Sequence, residues 1–299
     1  MLNLRGVIAP VVTTFGDRDE ALDLDAFATN LRAYAGAGLS GIVVCGSTGE
    51  AALLDEEERR SLIERTRREV PSDMLVIAGT GAESTRQCVQ RCRVASEQGA
   101  HAVLVVAPHY YSSAMTPAAI EAHYRRVADE SPLPVLLYNI PKYMHFALEP
   151  DLVARLATHE NIVGMKDSAG DMTKLASYLQ AQNESFTVLT GHGGTFDKAL
   201  ALGVRGGILA ISLFAAELTL DIFDSFTAGN AEQSVESQRI AAPLASEIVG
   251  RMGVAGVKAA MDRIGLSGGR VRAPLLPLGA EDEVRVDALL RDARVTAAV

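Results

Sequence analysis

The sequence is poor in cysteine, lysine and net positive charge, and each shortage excludes something. Three cysteines in 299 residues are too few for a disulfide scaffold, and Cys88 and Cys92, one helical turn apart, fit reduced thiols in a cytosol. Twenty-eight basic against 37 acidic side chains give a net charge of -9, which repels phosphate backbones, so no nucleic-acid partner is expected. The longest apolar runs, 102–107 and 208–216, fall far short of the roughly 20 residues that cross a bilayer, so no membrane partner is expected either. Only Arg5 precedes the first alternating residues, without the apolar stretch of a signal peptide, and the expected location is the cytoplasm. No phosphate-loop segment occurs, and the six histidines form no pair at metal spacing, so neither metal nor cofactor is expected. Gly36-Ala-Gly38-Leu-Ser-Gly41 matches a dinucleotide pattern by letters, but it follows a helix and precedes a strand, the reverse of what pyrophosphate binding needs.

What the chain does have is 48% hydrophobic residues, enough for a large core. Short β-branched runs alternate with stretches of helical period. Strands are expected at 6–13, 41–45, 75–79, 102–107, 135–138, 162–166, 187–190 and 206–211. The near-continuous Val, Ile and Leu of GIVVC, AVLVVA and PVLLY suit strands buried on both faces, as in a parallel sheet; Pro10 counts against the first. Between strands, Leu24, Phe27, Leu31 and Tyr34 hold helical spacing. Ser84 with Gln87 reads as a capping box, Thr116 before Pro117 as a cap, and Asp55 as the start of an acidic helix. Eight βα units favour an α/β fold of the TIM (β/α)8 barrel type over an open doubly wound sheet. The barrel is expected over 1–214, with a C-terminal helical extension over 215–299 packed on it, broken at Gly229, Gly253 and the turn 267–270.

In such a barrel, chemistry gathers where the strands end. Those positions hold Gly46-Ser47-Thr48-Gly49-Glu50, Pro108-His109-Tyr110-Tyr111, Tyr138-Asn139-Ile140-Pro141, Lys166, and the glycine-rich Gly191-His192-Gly193-Gly194. Lys166 is the most informative, because only five of the 28 basic residues are lysines. Inside IVGMK its amine faces an apolar barrel, where desolvation disfavours an ammonium and a Schiff-base nucleophile can form; the alternative is a strand-end lysine paired with Asp167. Tyr138 ends the neighbouring strand and is either a proton relay or a core tyrosine. Ser47 and Thr48 sit in a turn that either holds a carboxylate or merely caps a helix. His192 reads as a loop residue, and its turn as a place for a substrate anion.

GSTGE, the Tyr-Tyr pair, YNIP and GMKDSAGD, in this order, resemble the dihydrodipicolinate synthase and N-acetylneuraminate lyase family of class I aldolases. The similarity continues through Gly191, Gly206-Gly207, VKAAM and VRAPLLPL. The resemblance implies a TIM barrel, a homotetramer built as a dimer of dimers, and a 2-oxo acid such as pyruvate as the small-molecule partner. It makes Lys166 the imine-forming lysine and Tyr138 the proton shuttle. Tyr111, or Tyr110 if the register slips by one, then enters the neighbouring subunit's site. Substrate contacts fall on Ser47, Thr48, Gly191, Ile208 and Tyr143.

Two departures bear on the substrate. The synthases of this family usually carry an arginine five residues after the YNxP tyrosine, and here that position is Tyr143, which does not reproduce a bidentate carboxylate clamp. Sialate lyases carry acidic residues where this chain has Gly193 and Gly194. The expected substrate is therefore a 2-keto-3-deoxy sugar acid, cleaved, formed or dehydrated. Condensation of pyruvate with aspartate semialdehyde is the alternative reaction, and a catalytically silent barrel that binds a 2-oxo acid is the alternative of another class.

Overall fold

The computed structural model describes residues 2–16 and 20–295. Eight parallel strands close a barrel in sequence order: β1 Gly6–Pro10, β2 Gly41–Val44, β3 Leu75–Gly79, β4 Ala102–Val106, β5 Val135–Asn139, β6 Ile162–Asp167, β7 Thr187–Thr190 and β8 Gly206–Ile208. The first and last are shorter than expected. Pro10 has no N–H for the ladder, and although Val11 N still donates to Val43 O, the strand ends there. After Ile208 the apolar run turns into a short helical segment, Ala210–Leu213. Periodicity cannot separate a buried strand from a buried turn of helix when both are continuously apolar.

The helices that follow the strands are α1 Leu24–Gly36, α2 Glu56–Glu69, α3 Thr85–Glu97, α4 Pro117–Glu130, α5 Pro141–Met144, α6 Pro150–Leu156, α7 Met172–Leu179, α8 Phe196–Leu202 and α9 Ala216–Thr227. Thr116 caps α4, its hydroxyl accepting from Ala119 N at 3.2 Å. The capping box stands one helix earlier than expected. Asp55 accepts from Glu58 N and Glu58 accepts from Asp55 N, at 2.8 and 3.0 Å. Ser84 caps α3 on one side only, because the Gln87 amide is drawn off to Glu56 at 2.9 Å.

The rest is α10 Ala231–Pro243, α11 Gly253–Arg263 and α12 Ala280–Asp292, with a wide π-type turn over Leu244–Arg251 joining α10 to α11. Helix α9 follows β8 and packs on both β1 and α8. The extension lies over the strand ends. Residues 256–261 of α11 are buried, and the Tyr34 hydroxyl of α1 donates to Leu213 O at 3.1 Å beneath it. Residues 296–299 of the expected extension lie outside the described residues.

Candidate active site

The C-terminal strand ends and the extension enclose a cavity of about 420 Å³. Strand register explains its two central residues. A shift between Val135 and Leu136 aligns Tyr138 opposite Lys166 and Asn139 opposite Asp167. Cross-strand partners share a face while successive residues alternate. Tyr138 and Lys166 therefore turn to the cavity together, and the Lys166 Nζ stands 4.5 Å from the Tyr138 ring centroid. Asn139 and Asp167 turn to the other face, where the Asn139 amide donates to the Asp167 carboxylate at 2.7 Å. Burial pushes the Asp167 carboxyl above its ordinary range. Lys166 is 6% exposed and forms no ion pair among the described residues; Asp167, next to it in sequence, is committed elsewhere.

The turn after β2 is folded on itself. Gly49 N donates to Gly46 O at 3.0 Å and Glu50 N to Ser47 O at 3.1 Å, while the Thr13 hydroxyl of the β1 loop holds Gly49 O at 2.7 Å. This leaves Ser47 and Thr48 in the cavity wall. Glu50, with a left-handed backbone at φ 55°, points away into the extension. Its carboxylate lies 2.6 Å from Lys258 Nζ on α11, both side chains being buried, and also accepts from Arg272 N at 2.8 Å. Burial pulls the Lys258 amine below its usual range, against the attraction of Glu50. The Ser47–Thr48 turn is thus anchored from behind by a buried ion pair.

Gly191, Ile208 and Tyr143 complete the near wall. A Cβ at Gly191 would stand 2.6 Å from Lys166 Cε and 2.0 Å from Ser168 Oγ, so any other residue there displaces those side chains. Tyr143 is 41% exposed, yet the partial burial of its phenol raises the pKa. Lys142 beside it donates its Nζ to Gly250 O at 2.9 Å. Tyr111 is not part of the wall. It is 69% exposed, next to Tyr110 at 77%, the two rings packed edge to face at 5.0 Å. Glu83 fixes their loop by accepting from His109 N and Tyr110 N at 3.0 and 2.9 Å.

The Dihydrodipicolinate synthetase family matches residues 3–293. The chain belongs to that family. A 4-hydroxy-tetrahydrodipicolinate synthase of Methanothrix thermoacetophila is 33% identical, over 94% of this chain and 94% of that one. An uncharacterized DapA-like lyase of Halobacterium salinarum is 36% identical, over 97% and 94%. Among solved structures, the dihydrodipicolinate synthase of Acinetobacter baumannii complexed with pyruvate superposes with a TM-score of 0.93 at 29% identity, over 98% of this chain and all of that one. The prophage protein YagE of E. coli K12, in complex with pyruvate, superposes at 0.92 with 27% identity, over 98% and 99%. This dihydrodipicolinate synthetase family member is a class I lyase of the aldolase type.

Several wall residues of this family member are not singled out as site residues by the sequence. Ser168 and Ala169 follow β6, Pro10 ends β1, and Ala245, Ser246, Val249 and Val254 come from the extension. Small or aliphatic residues in a helical stretch look like any helix surface, and only the docking of the extension over the strand ends gives them their place. His192 also lines the cavity, although in the sequence it reads as a loop residue beside a turn suited to a substrate anion. Glu50 had a visible signal, a carboxylate at the end of a glycine turn, but its partner lies 208 residues away and no local pattern links them.

Proposed function

We propose that Lys166 forms the imine and that the substrate is a 2-keto-3-deoxy sugar acid, cleaved to pyruvate and an aldehyde or built from them. In the cleavage direction the Lys166 amine attacks C2 and water leaves. Ser47 and Thr48 hold the substrate carboxylate with hydroxyl and N–H donors. The C4 hydroxyl gives up its proton through Tyr138, the C3–C4 electron pair moves to the protonated imine, and the aldehyde departs. The enamine takes a proton at C3, and hydrolysis returns pyruvate and the free amine. A dehydratase shares the first step and loses the C4 hydroxyl in place of the carbon fragment.

One observation carries this reading: a buried amine without an anionic partner among the described residues, facing a tyrosine ring at 4.5 Å in the same cavity as Ser47 and Thr48. Pyruvate with borohydride tests it. The intact mass should rise by one reduced adduct, peptide mapping should place the adduct on Lys166, and Lys166→Ala should take none. An adduct elsewhere, or none in the wild-type protein, overturns the reading.

The synthase reaction has an observation of its own, the names of the curated relatives. Against it stands the cavity wall, where Tyr143 occupies the place of the clamp and no arginine is present among the described residues. Robust turnover of pyruvate with aspartate semialdehyde would reverse this preference. For the assembly we infer a homotetramer, a dimer of dimers, in the cytoplasm. Its supports are the exposed Tyr110 and Tyr111, the free and buried cysteines, and the lack, among the described residues, of a helix long and apolar enough to cross a membrane.

A further inference from the structure

His192 is held more tightly than a loop histidine needs to be. Its ring lies in a slot between two glycines. A Cβ on Gly170 would stand 2.8 Å from Cδ2 and 3.0 Å from Nε2, and one on Gly194 would stand 3.1 Å from Cε1. Gly170 adopts φ 74°, a conformation that itself favours glycine. The Thr195 hydroxyl bonds Nδ1 at 3.0 Å, and Thr190 Oγ1 accepts from His192 N at 3.2 Å. Nε2 has no hydrogen-bond partner among the described residues. The residue belongs to the same cavity wall as Lys166, and its chain neighbour Gly191 is the position where an added Cβ would meet Lys166 Cε.

The surroundings decide what such a ring recognises. Among the described residues no arginine, aspartate or glutamate lines the cavity, and the Lys142 ammonium is bonded to Gly250 O. Burial holds the imidazole pKa below its ordinary value, so near neutrality the ring is uncharged and offers one donor and one acceptor. An uncharged ring is a poor counter-ion for a carboxylate and a good partner for a hydroxyl. Val249 and Val254 of the extension supply apolar contact for a carbon chain beside it.

We propose that His192 selects the aldehyde half of the substrate by hydrogen-bonding one of its hydroxyl groups, making it a specificity-determining residue for hydroxylated aldehydes. This rests on the reading of Lys166 as the imine-forming residue and adds a residue outside that machinery.

The test compares condensation of pyruvate with glyceraldehyde and with propanal, which has the same carbon count and no hydroxyl. The ratio of kcat/KM for glyceraldehyde over propanal should exceed one in the wild-type protein. It should fall roughly tenfold or more in His192→Phe, the size expected for one hydrogen bond to a bound hydroxyl. His192→Gln, which keeps a side-chain donor and acceptor, should restore part of the ratio, and thermal unfolding of each variant checks that it folds. A ratio unchanged in His192→Phe, whether both rates hold or both fall together, overturns the proposal. So does a wild-type protein that traps pyruvate with borohydride and shows no preference for glyceraldehyde. A wild-type protein that traps no pyruvate overturns the underlying reading first.

Discussion

Lys166 and Gly191 form one unit at the residue scale: the lysine is the proposed nucleophile, and the glycine supplies the space in which its side chain runs. If Lys166 forms the imine as proposed, Lys166→Ala is expected to lower kcat by at least roughly a thousandfold, because the covalent electron sink is lost. Gly191→Ala is the more discriminating change. It leaves every functional group in place and pushes a methyl into Lys166 Cε and Ser168 Oγ. A misplacement of about 1 Å near reacting atoms costs on the order of a hundredfold. The slow step should be imine formation, read as the rate at which borohydride captures pyruvate. Normal capture with slow turnover would mean that the glycine serves some later step. Lys166 was legible in the sequence because lysine is scarce here and this one ends a strand. The need for glycine at 191 was not, since the collision arises only when β6 and β7 lie side by side with Lys166 opposite Leu189.

Among elements, the decisive contact is between the β2 turn and α11. Both GSTGE and VKAAM were visible as motifs, yet nothing in either says that Glu50 and Lys258 meet. Their contact depends on where the extension docks, a tertiary matter beyond local patterning. The barrel rhythm was legible because strands buried on both faces are written as unbroken apolar runs. The end of β8 was not, because the same apolar letters continue into 209–214. Removing one member of a buried ion pair leaves the other uncompensated, at a cost of about 3–5 kcal/mol. Lys258→Met is therefore expected to lower the urea midpoint strongly and to raise the KM for pyruvate, because the Ser47–Thr48 turn loses its anchor. Adding Glu50→Gln should recover part of the stability. If stability returns and KM does not, the pair positions the turn as well as holding the fold. If neither variant moves KM, the pair is structural only.

For the molecule as a whole, titration and assembly give the sharpest tests. His123 on α4 is buried, and burial lowers its pKa from 6.5 to about 4. The unfolded chain therefore binds a proton that the folded chain refuses. Its contribution to stability is complete above about pH 6.5 and is lost as the pH falls toward about 4, roughly 3 kcal/mol in all. Urea unfolding at about pH 7.5 and about pH 5 should differ by roughly 2 kcal/mol from this group, a difference that His123→Gln should remove. An equal acid loss in wild type and variant would assign the effect to other groups.

Assembly is argued from the two tyrosines. A folded chain that leaves Tyr110 and Tyr111 at 77% and 69% exposure on a loop braced by Glu83 presents more aromatic surface than a lone subunit needs, and aromatic residues are enriched where subunits meet. If the tyrosine crosses into a neighbour's site, contact and catalysis are linked. Tyr111→Ala should then lower both the sedimenting mass at micromolar concentration and kcat, while the thermal midpoint of the dissociated chain changes little. The same experiment on Tyr110→Ala decides which ring does the work, because only the inserted one should affect kcat out of proportion to mass. Full activity in a stable monomer of either variant would remove the tyrosines from the proton relay and leave Tyr138 as its sole side chain.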